Sequence, residues 1–328
     1  MTRTDKGVRR VAVADAVDLL QPAVDLMRER GVDVSVPTPG ETPGAMVDRA
    51  AGAPVLMLGL CPLGEAELGR LAAGGTRLIV RAGIGYDIVD VPAATTAGVT
   101  VANVPDYCVD EVADHSLLLL LAAQRRLGTL AGLWRDGWAV ADRLPTVSRV
   151  AGATLGVVGL GRIGSAVARR AAGFGWRVVA HDPYVAPDAF AAAGAAPLEL
   201  DDLFAAADAI TLHCPLSADS AHLVDARRLG LVRRGAVLVN TSRGGLVDLD
   251  AVDAAVADGR LGAVALDVLD GEPDPPLHHP LLSRPEVTVT PHVAWYSVAA
   301  RHELAVKSAE EALRWLDTGA ARHPVNRP

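Results

Sequence analysis

One short segment constrains this chain more than any other. Gly159-Leu160-Gly161-Arg162-Ile163-Gly164 follows the apolar run Leu155-Gly156-Val157-Val158 and precedes a helical run from Ser165 to Phe174. A buried strand, three glycines at this spacing and a helix form the turn on which an α/β sheet holds a diphosphate. Gly159 permits the tight turn, Gly161 lets the backbone approach a phosphate, and Gly164 lets the helix pack close to the strand. The N–H groups opening the helix, those of Arg162 and Ile163 among them, and the helix dipole favour an anion there. Such a glycine pattern alone is weak, but a second signal joins it. Asp182 ends the next apolar run, 18 residues after Gly164. A carboxylate at that place accepts hydrogen bonds from ribose hydroxyls and repels a 2′-phosphate, so the expected cofactor is NAD rather than NADP.

Strand-like and helix-like segments alternate on both sides of this turn. Upstream, Val8–Ala14, Val32–Val36, Pro54–Leu60 and Thr76–Arg81 read as strands, with a helix from Val17 to Arg30 ended by Gly31. Downstream, strands are expected at Thr154–Val158, Arg177–His181, Ala209–His213, Ala236–Asn240, Ala263–Asp267 and Val287–Thr290. Strands alternating with helices imply parallel βαβ units, so the expected fold class is α/β with two doubly wound parallel-sheet domains. A long helix from about Asp110 to Leu127 separates the two series. A last helix, about Val298 to Thr318, follows the second series with no strand of its own, and is expected to return to the first domain. That gives a substrate-binding domain of residues 1–102 with 298–328, and a Rossmann-type NAD-binding domain of residues 103–297. Two such crossings are expected to frame a cleft.

The chain has 328 residues, room enough for two cores. Its net charge is −8, from 31 basic and 39 acidic side chains. Nucleic-acid binding calls for a basic stripe, and the pairs Arg125-Arg126, Arg169-Arg170, Arg227-Arg228 and Arg233-Arg234 read instead as solvated helix faces. Cys61, Cys108 and Cys214 are too scattered for a zinc site or a disulfide framework, and a reducing cytoplasm is the expected location. The polar start of the chain does not read as a secretory signal, and Leu117–Leu121 is too short to span a bilayer, so no membrane association is expected. His278-His279 on a Pro-rich loop reads as exposed, and no metal is expected.

Three residues follow successive strands of the second series. Arg243 lies in Asn240-Thr241-Ser242-Arg243-Gly244-Gly245, Glu272 in Asp270-Gly271-Glu272-Pro273, and His292 in Thr290-Pro291-His292-Val293-Ala294-Trp295. Strand carboxyl ends are where an open α/β sheet binds its ligand. An arginine fork binds a carboxylate and polarises a neighbouring carbonyl. A histidine exchanges a proton with the carbonyl oxygen, and a glutamate on its distal nitrogen fixes its tautomer. Each residue alone has a commonplace explanation. Their recurrence at strand ends beside a nucleotide turn favours catalysis.

With these motifs, and with Arg81-Ala82-Gly83-Ile84-Gly85-Tyr86-Asp87 and His213-Cys214-Pro215-Leu216, the chain resembles the D-isomer-specific 2-hydroxyacid dehydrogenases over essentially its whole length. These belong with the phosphoglycerate and formate dehydrogenases. The ending Trp295-Tyr296-Ser297 is similar to the C-terminal-binding-protein branch. The resemblance implies a flavodoxin-like substrate domain, NAD-dependent oxidoreduction of a small 2-keto or 2-hydroxy acid, and a homodimer, for which the helix from Asp110 is a candidate contact. It implies a catalytic set of Arg243, Glu272 and His292. It implies cofactor contacts at the glycine turn, His213, Pro215, Thr241 and Asp267, and substrate contacts at Arg81, Ile84, Gly85 and Arg243. Trp295 reads equally as a pocket wall or as packing. The family often has Asn where Ile88 stands. Two other readings use the same residues: oxidation of phosphite or a phosphonate-bearing acid, and an NAD(H)-sensing corepressor-like scaffold.

Overall fold

The computed structural model describes residues 9–138 and 140–328. Twelve strands are found among them, and every strand pairing is parallel. Five form one sheet: β1 (Arg10–Val13), β2 (Asp33–Ser35), β3 (Val55–Leu58), β4 (Leu78–Arg81) and β5 (Thr100–Asn103), in the order β2-β1-β3-β4-β5. Seven form the other: β6 (Thr154–Val158), β7 (Arg177–His181), β8 (Ala196–Pro197), β9 (Ala209–Leu212), β10 (Ala236–Asn240), β11 (Leu261–Leu266) and β12 (Val287–Val289), in the order β12-β11-β10-β9-β6-β7-β8. The inner strands β3, β6, β9 and β10 are buried along their whole length. Helices cover both faces of such a sheet, so its strands read as unbroken apolar runs.

The chain divides into two compact units, one ending at Cys108 and resumed by Ser297–Pro328, the other Val109–Tyr296. The first crossing falls later than residue 103 because Thr100–Asn103 is itself a strand of the first sheet, too short and too close to the Ala-rich helix Val91–Thr96 to stand out in sequence. The C-terminal tail covers that edge strand. Val325 N–H donates to Val101 O at 2.8 Å, and Asn326 Oδ1 accepts from Val101 N–H at 2.7 Å. Helix Val298–Thr318, capped by the Ser297 hydroxyl, packs on helix Val17–Glu29 of the same unit, where Arg301 reaches the carbonyl of Asp18.

In the second unit, apolar clusters lie on both faces of the seven-stranded sheet, one including Val157, Val167 and Leu120, the other Leu203, Phe204 and Leu238. The expected helix from Asp110 to Leu127 is Val109–Gln124, and a second helix stands in the loop region expected after it. Val109–Gln124 stops where Arg126 takes a left-handed φ of 53°, and Leu127–Leu133 restarts. Gly262 leaves room for the Arg126 guanidinium, which a side chain there would overlap. No helix among the described residues is long and apolar enough to cross a membrane.

Candidate active site

The strand order of the second unit reverses between β6 and β9, and ligands bind outside the carboxyl ends of strands at such a reversal. The glycine turn follows β6 and His213 follows β9. Gly159 has φ 91°, and a Cβ there would stand 2.6 Å from Cys214 N and 2.8 Å from His213 O, backbone atoms that cannot yield. A Cβ on Gly164 would overlap the Gly159 carbonyl oxygen. Gly161 is different. Nothing lies within 4 Å of its Cβ position, so the turn is open on the side where a diphosphate approaches. Helix Arg162–Ala172 starts there with the unpaired N–H groups that any helix presents at its first turn. Arg162 is exposed, whereas Ile163 packs on the core. This donor set and open turn fit a dinucleotide.

Asp182 sits at the end of β7 and does more than its spacing foretells. Its Oδ2 accepts from Leu160 N–H inside the glycine turn at 2.7 Å, and its Oδ1 from Tyr184 N–H at 2.9 Å. Across the crevice, His213 N–H donates to Val158 O, and its ring Nε2 lies 3.0 Å from the Thr211 hydroxyl. Burial pushes the His213 imidazole down to about 3, so the ring beside the turn is neutral. Burial likewise raises the Cys214 thiol to about 11, which makes it packing rather than a nucleophile. Pro215 is exposed.

The side chain of Asn240, at the end of β10, shapes the loop carrying Arg243. Its Oδ1 accepts from Ser242 N–H and its Nδ2 donates to Arg243 O. Gly244 presses on the backbone of Leu269 and Asp270, where a side chain would overlap. Thr241 is buried, with its hydroxyl 2.7 Å from that of Ser116. Ser116 gives its own hydrogen to Val112 O, so Thr241 is the donor between the two hydroxyls. Ser116 carries no sequence motif.

Glu272 and His292 meet directly. Glu272 Oε1 accepts from Leu269 N–H at 2.9 Å, and Oε2 lies 2.5 Å from His292 Nδ1. Burial pushes the Glu272 carboxyl up. The hydrogen bonds from His292 and the Leu269 N–H, with the charges of His292 and Arg243, outweigh it and hold the group below the usual glutamate range. The guanidinium of Arg243 thus acts on the same carboxylate. The His292 side chain is 41% exposed, and its Nε2 has no hydrogen-bond partner among the described residues. That nitrogen is the one able to exchange a proton with a ligand.

His292 has φ 52°, a conformation L-residues seldom adopt. Asp267, just past β11, holds it there. Its side chain is wholly buried, and it accepts from the Thr290 hydroxyl at 2.5 Å, Val293 N–H at 3.0 Å and Ala294 N–H at 2.9 Å. Its carbonyl accepts from His292 N–H at 2.7 Å. His115, on helix Val109–Gln124, places Nε2 3.2 Å from the Thr290 hydroxyl. A cofactor contact at Asp267 would therefore share a carboxylate that already has three donors. Trp295 is half-buried in the same loop, edge-on to Tyr296 with ring centroids 5.6 Å apart.

Arg81, Ile84 and Gly85 belong to the first unit. Arg81 ends β4 and donates to the Ala82 carbonyl, while Ile84 O accepts from Asn103 Nδ2 at 2.6 Å. Ile88 packs on that unit's core, so its departure from the family pattern is an apolar anchor for this loop. His279 caps the turn Pro280–Ser283 and pairs with Asp250. The described residues contain no group of three or more potential metal-ligating side chains.

Residues 117–294 match the family described as D-isomer specific 2-hydroxyacid dehydrogenase, NAD binding domain. The D-3-phosphoglycerate dehydrogenase of Mycobacterium tuberculosis (strain ATCC 25618 / H37Rv) is 42% identical over 240 residues, 73% of this chain and 45% of that protein. The chain thus spans about half the length of the curated relatives it matches. Among solved structures, the TT0316 protein from Thermus thermophilus is 36% identical with a TM-score of 0.83, covering 97% of this chain and all of that one. A D-2-hydroxyisocaproate dehydrogenase is 25% identical with a TM-score of 0.81, covering 96% of this chain and 99% of that one. The chain belongs to the D-isomer-specific 2-hydroxyacid dehydrogenase family and carries that family's NAD-binding domain.

Proposed function

We propose that this protein interconverts a small 2-keto acid and the corresponding D-2-hydroxy acid with NAD. The observation that carries the reading is the Glu272–His292 pair, with His292 Nε2 open to a ligand and the Arg243 charge acting on the same carboxylate. NAD, when bound, supplies or accepts the hydride. His292 Nε2 gives a proton to the substrate oxygen in reduction and recovers it in oxidation. Glu272, bonded to Nδ1, keeps the ring oriented and balances its charge. Arg243 binds the substrate carboxylate and polarises the carbonyl with its fork.

The first unit is assigned to substrate binding, with the N–H groups of Ile84 and Gly85 and the side chain of Arg81 on the acid and Trp295 beside it. Cofactor contacts are assigned to the glycine turn (Gly159, Gly161, Arg162, Ile163, Gly164), Asp182, His213, Pro215, Thr241 and Asp267. A homodimer is proposed on the exposed apolar side chains of Leu118, Leu127, Trp134, Trp138 and Leu144. A cytoplasmic setting is proposed on three free cysteines. The test is a panel of 2-keto acids followed by loss of NADH absorbance, with NADH binding measured separately by fluorescence. Turnover of at least one acid is expected. Tight NADH binding with no turnover of any 2-keto acid refutes the reading.

A further inference from the structure

Helix Val109–Gln124 packs on β10 and β11, and its buried face is apolar apart from Ser116 and Gln124. Ser116 meets the Thr241 hydroxyl, in the loop of Arg243. Its neighbour His115 meets the Thr290 hydroxyl, in the loop of His292. Two consecutive residues of one helix thus hold two of the loops that carry the proposed catalytic side chains.

The direction of the second contact is determined. The Thr290 hydroxyl gives its one proton to Asp267 Oδ1 at 2.5 Å, because an ionised carboxylate only accepts. Thr290 Oγ1 is therefore the acceptor toward His115, 3.2 Å away, and Nε2 of His115 carries a hydrogen. The His115 side chain is 17% exposed, and its Nε2 lies 3.7 Å from Asp267 Oδ1. Donors thus run from His115 through Thr290 to Asp267, and each bond in such a series polarises the next. The series ends on the carboxylate that gathers the N–H groups of Val293 and Ala294, while the carbonyl of the same residue takes His292 N–H. These contacts hold His292 at its φ of 52°. Without the His115 N–H, the Thr290 hydroxyl is free to turn away from Asp267.

We propose that His115 is a positioning residue: through Thr290 and Asp267 it sets the direction in which His292 presents Nε2. This rests on the dehydrogenase reading above, and every residue in it belongs to the second unit.

The test uses variants that differ in reach. His115→Gln places an amide N–H near the position of Nε2. His115→Asn is one bond shorter, so its amide falls near Nδ1, and His115→Leu fills the space with no donor. Tm, kcat and KM for NADH are measured with a 2-keto acid that the unmodified protein reduces. Misplacing a reacting group by about 1 Å costs about 100-fold, so the smaller tilt expected here lowers kcat by about 10-fold in His115→Leu and His115→Asn. KM for NADH is expected to stay within about 2-fold, since the loss falls on the proton donor. His115→Gln is expected to bring kcat back to within about 3-fold of the unmodified protein. Thr290→Val breaks the same series one bond further on, so adding it to His115→Leu is expected to lower kcat no further than Thr290→Val does alone.

A histidine that served packing alone would lower Tm in all three variants and leave the kcat of the folded protein as it was. That result overturns the proposal. So does a His115→Gln variant as slow as His115→Asn, or a raised KM for NADH with kcat intact. If His115→Leu does not fold, the comparison of Gln with Asn decides on the same terms. If the unmodified protein reduces no 2-keto acid, the dehydrogenase reading is what fails. The positioning of His292 is then read from its ring 15N–1H correlations in the cofactor-free protein, assigned by their loss in His292→Ala. Ring shifts that move in His115→Asn and return in His115→Gln support the proposal; shifts identical in all forms overturn it.

Discussion

Asp267→Asn exchanges one carboxylate oxygen for an amide NH2 at a buried acceptor that holds three donors. If the remaining oxygen stays at the Oδ1 position, it still accepts from the Thr290 hydroxyl and Val293 N–H, but the amide then faces Ala294 N–H, a donor now 2.9 Å from another donor. The opposite rotamer keeps Ala294 and loses the other two. A hydrogen bond to a charged group contributes about 1.5–3 kcal/mol, and a buried N–H left unpaired costs about 1–3 kcal/mol, so the lesser of the two arrangements costs about 3 kcal/mol. For a unit of this size that lowers Tm by about 6–12 °C. The same bonds hold His292 at its positive φ, so kcat is expected to fall as well. Thermal unfolding of the cofactor-free protein and steady-state kinetics measure both. If Asp267 mattered chiefly as a cofactor contact, the variant would keep the Tm of the cofactor-free protein and raise only KM for NADH. That outcome refutes the positioning argument.

Three further predictions concern the crevice and the proton path. His292→Ala is expected to lower kcat by about 100-fold or more, as loss of a general acid does; near-normal turnover would remove His292 from the chemistry. Asp182→Ala is expected to erode the preference for NADH over NADPH in kcat/KM by about 10-fold, the scale of one partly screened charge contact. A ratio unchanged from that of the unmodified protein would show that the carboxylate serves only to hold Leu160 and Tyr184. The third concerns acid stability. The folded chain keeps His213 neutral down to about 3, whereas an open chain protonates it near 6.5. Its contribution is therefore complete above pH 6.5 and drains as pH falls toward 3, which amounts to about 2 kcal/mol between pH 7 and pH 5. Urea midpoints at the two pH values should differ by less in His213→Asn; an equal difference rules His213 out as the source.

What sequence reveals here is what short-range pattern determines. Six strands of the second sheet are expected within two residues of their observed bounds; β6, β9, β10 and β11 stand out because a strand buried on both faces is a continuous apolar run ended by turn residues. Arg243 and Glu272 stand out as following such runs, while His292 follows Val287–Val289, whose residues are half-buried or exposed. The last helix, Val298–Thr318, has its expected bounds, set by a serine cap and a following Gly319. The two-residue edge strand β8 has no pattern to detect, and no local signal marks the break at Arg126, whose guanidinium lies against Gly262 far along the chain. The roles of Asp267 and Asp15 are hidden in a different way. Each carboxylate collects N–H groups from a loop 26 to 27 or 44 to 46 residues away, and no local periodicity records such a meeting.

The two reversal points show why fold alone cannot name a substrate. Both sheets are parallel, both change direction beside their first strand, and both present backbone N–H groups in the crevice this creates. In the second unit the carboxylate of Asp182 is tied to the rim of the turn, and Gly161 leaves the space in front of the helix open, so an anion is admitted. In the first unit the N–H groups already hold Asp15, and Gly59 is small enough to let it in. Topology thus determines where a ligand can lie, while the side chains at that position decide whether the N–H groups there are open or already held. A 42% identical relative whose name specifies a phosphorylated acid is therefore a guide to the fold and the cofactor of this protein, and its name does not carry its substrate over to this chain.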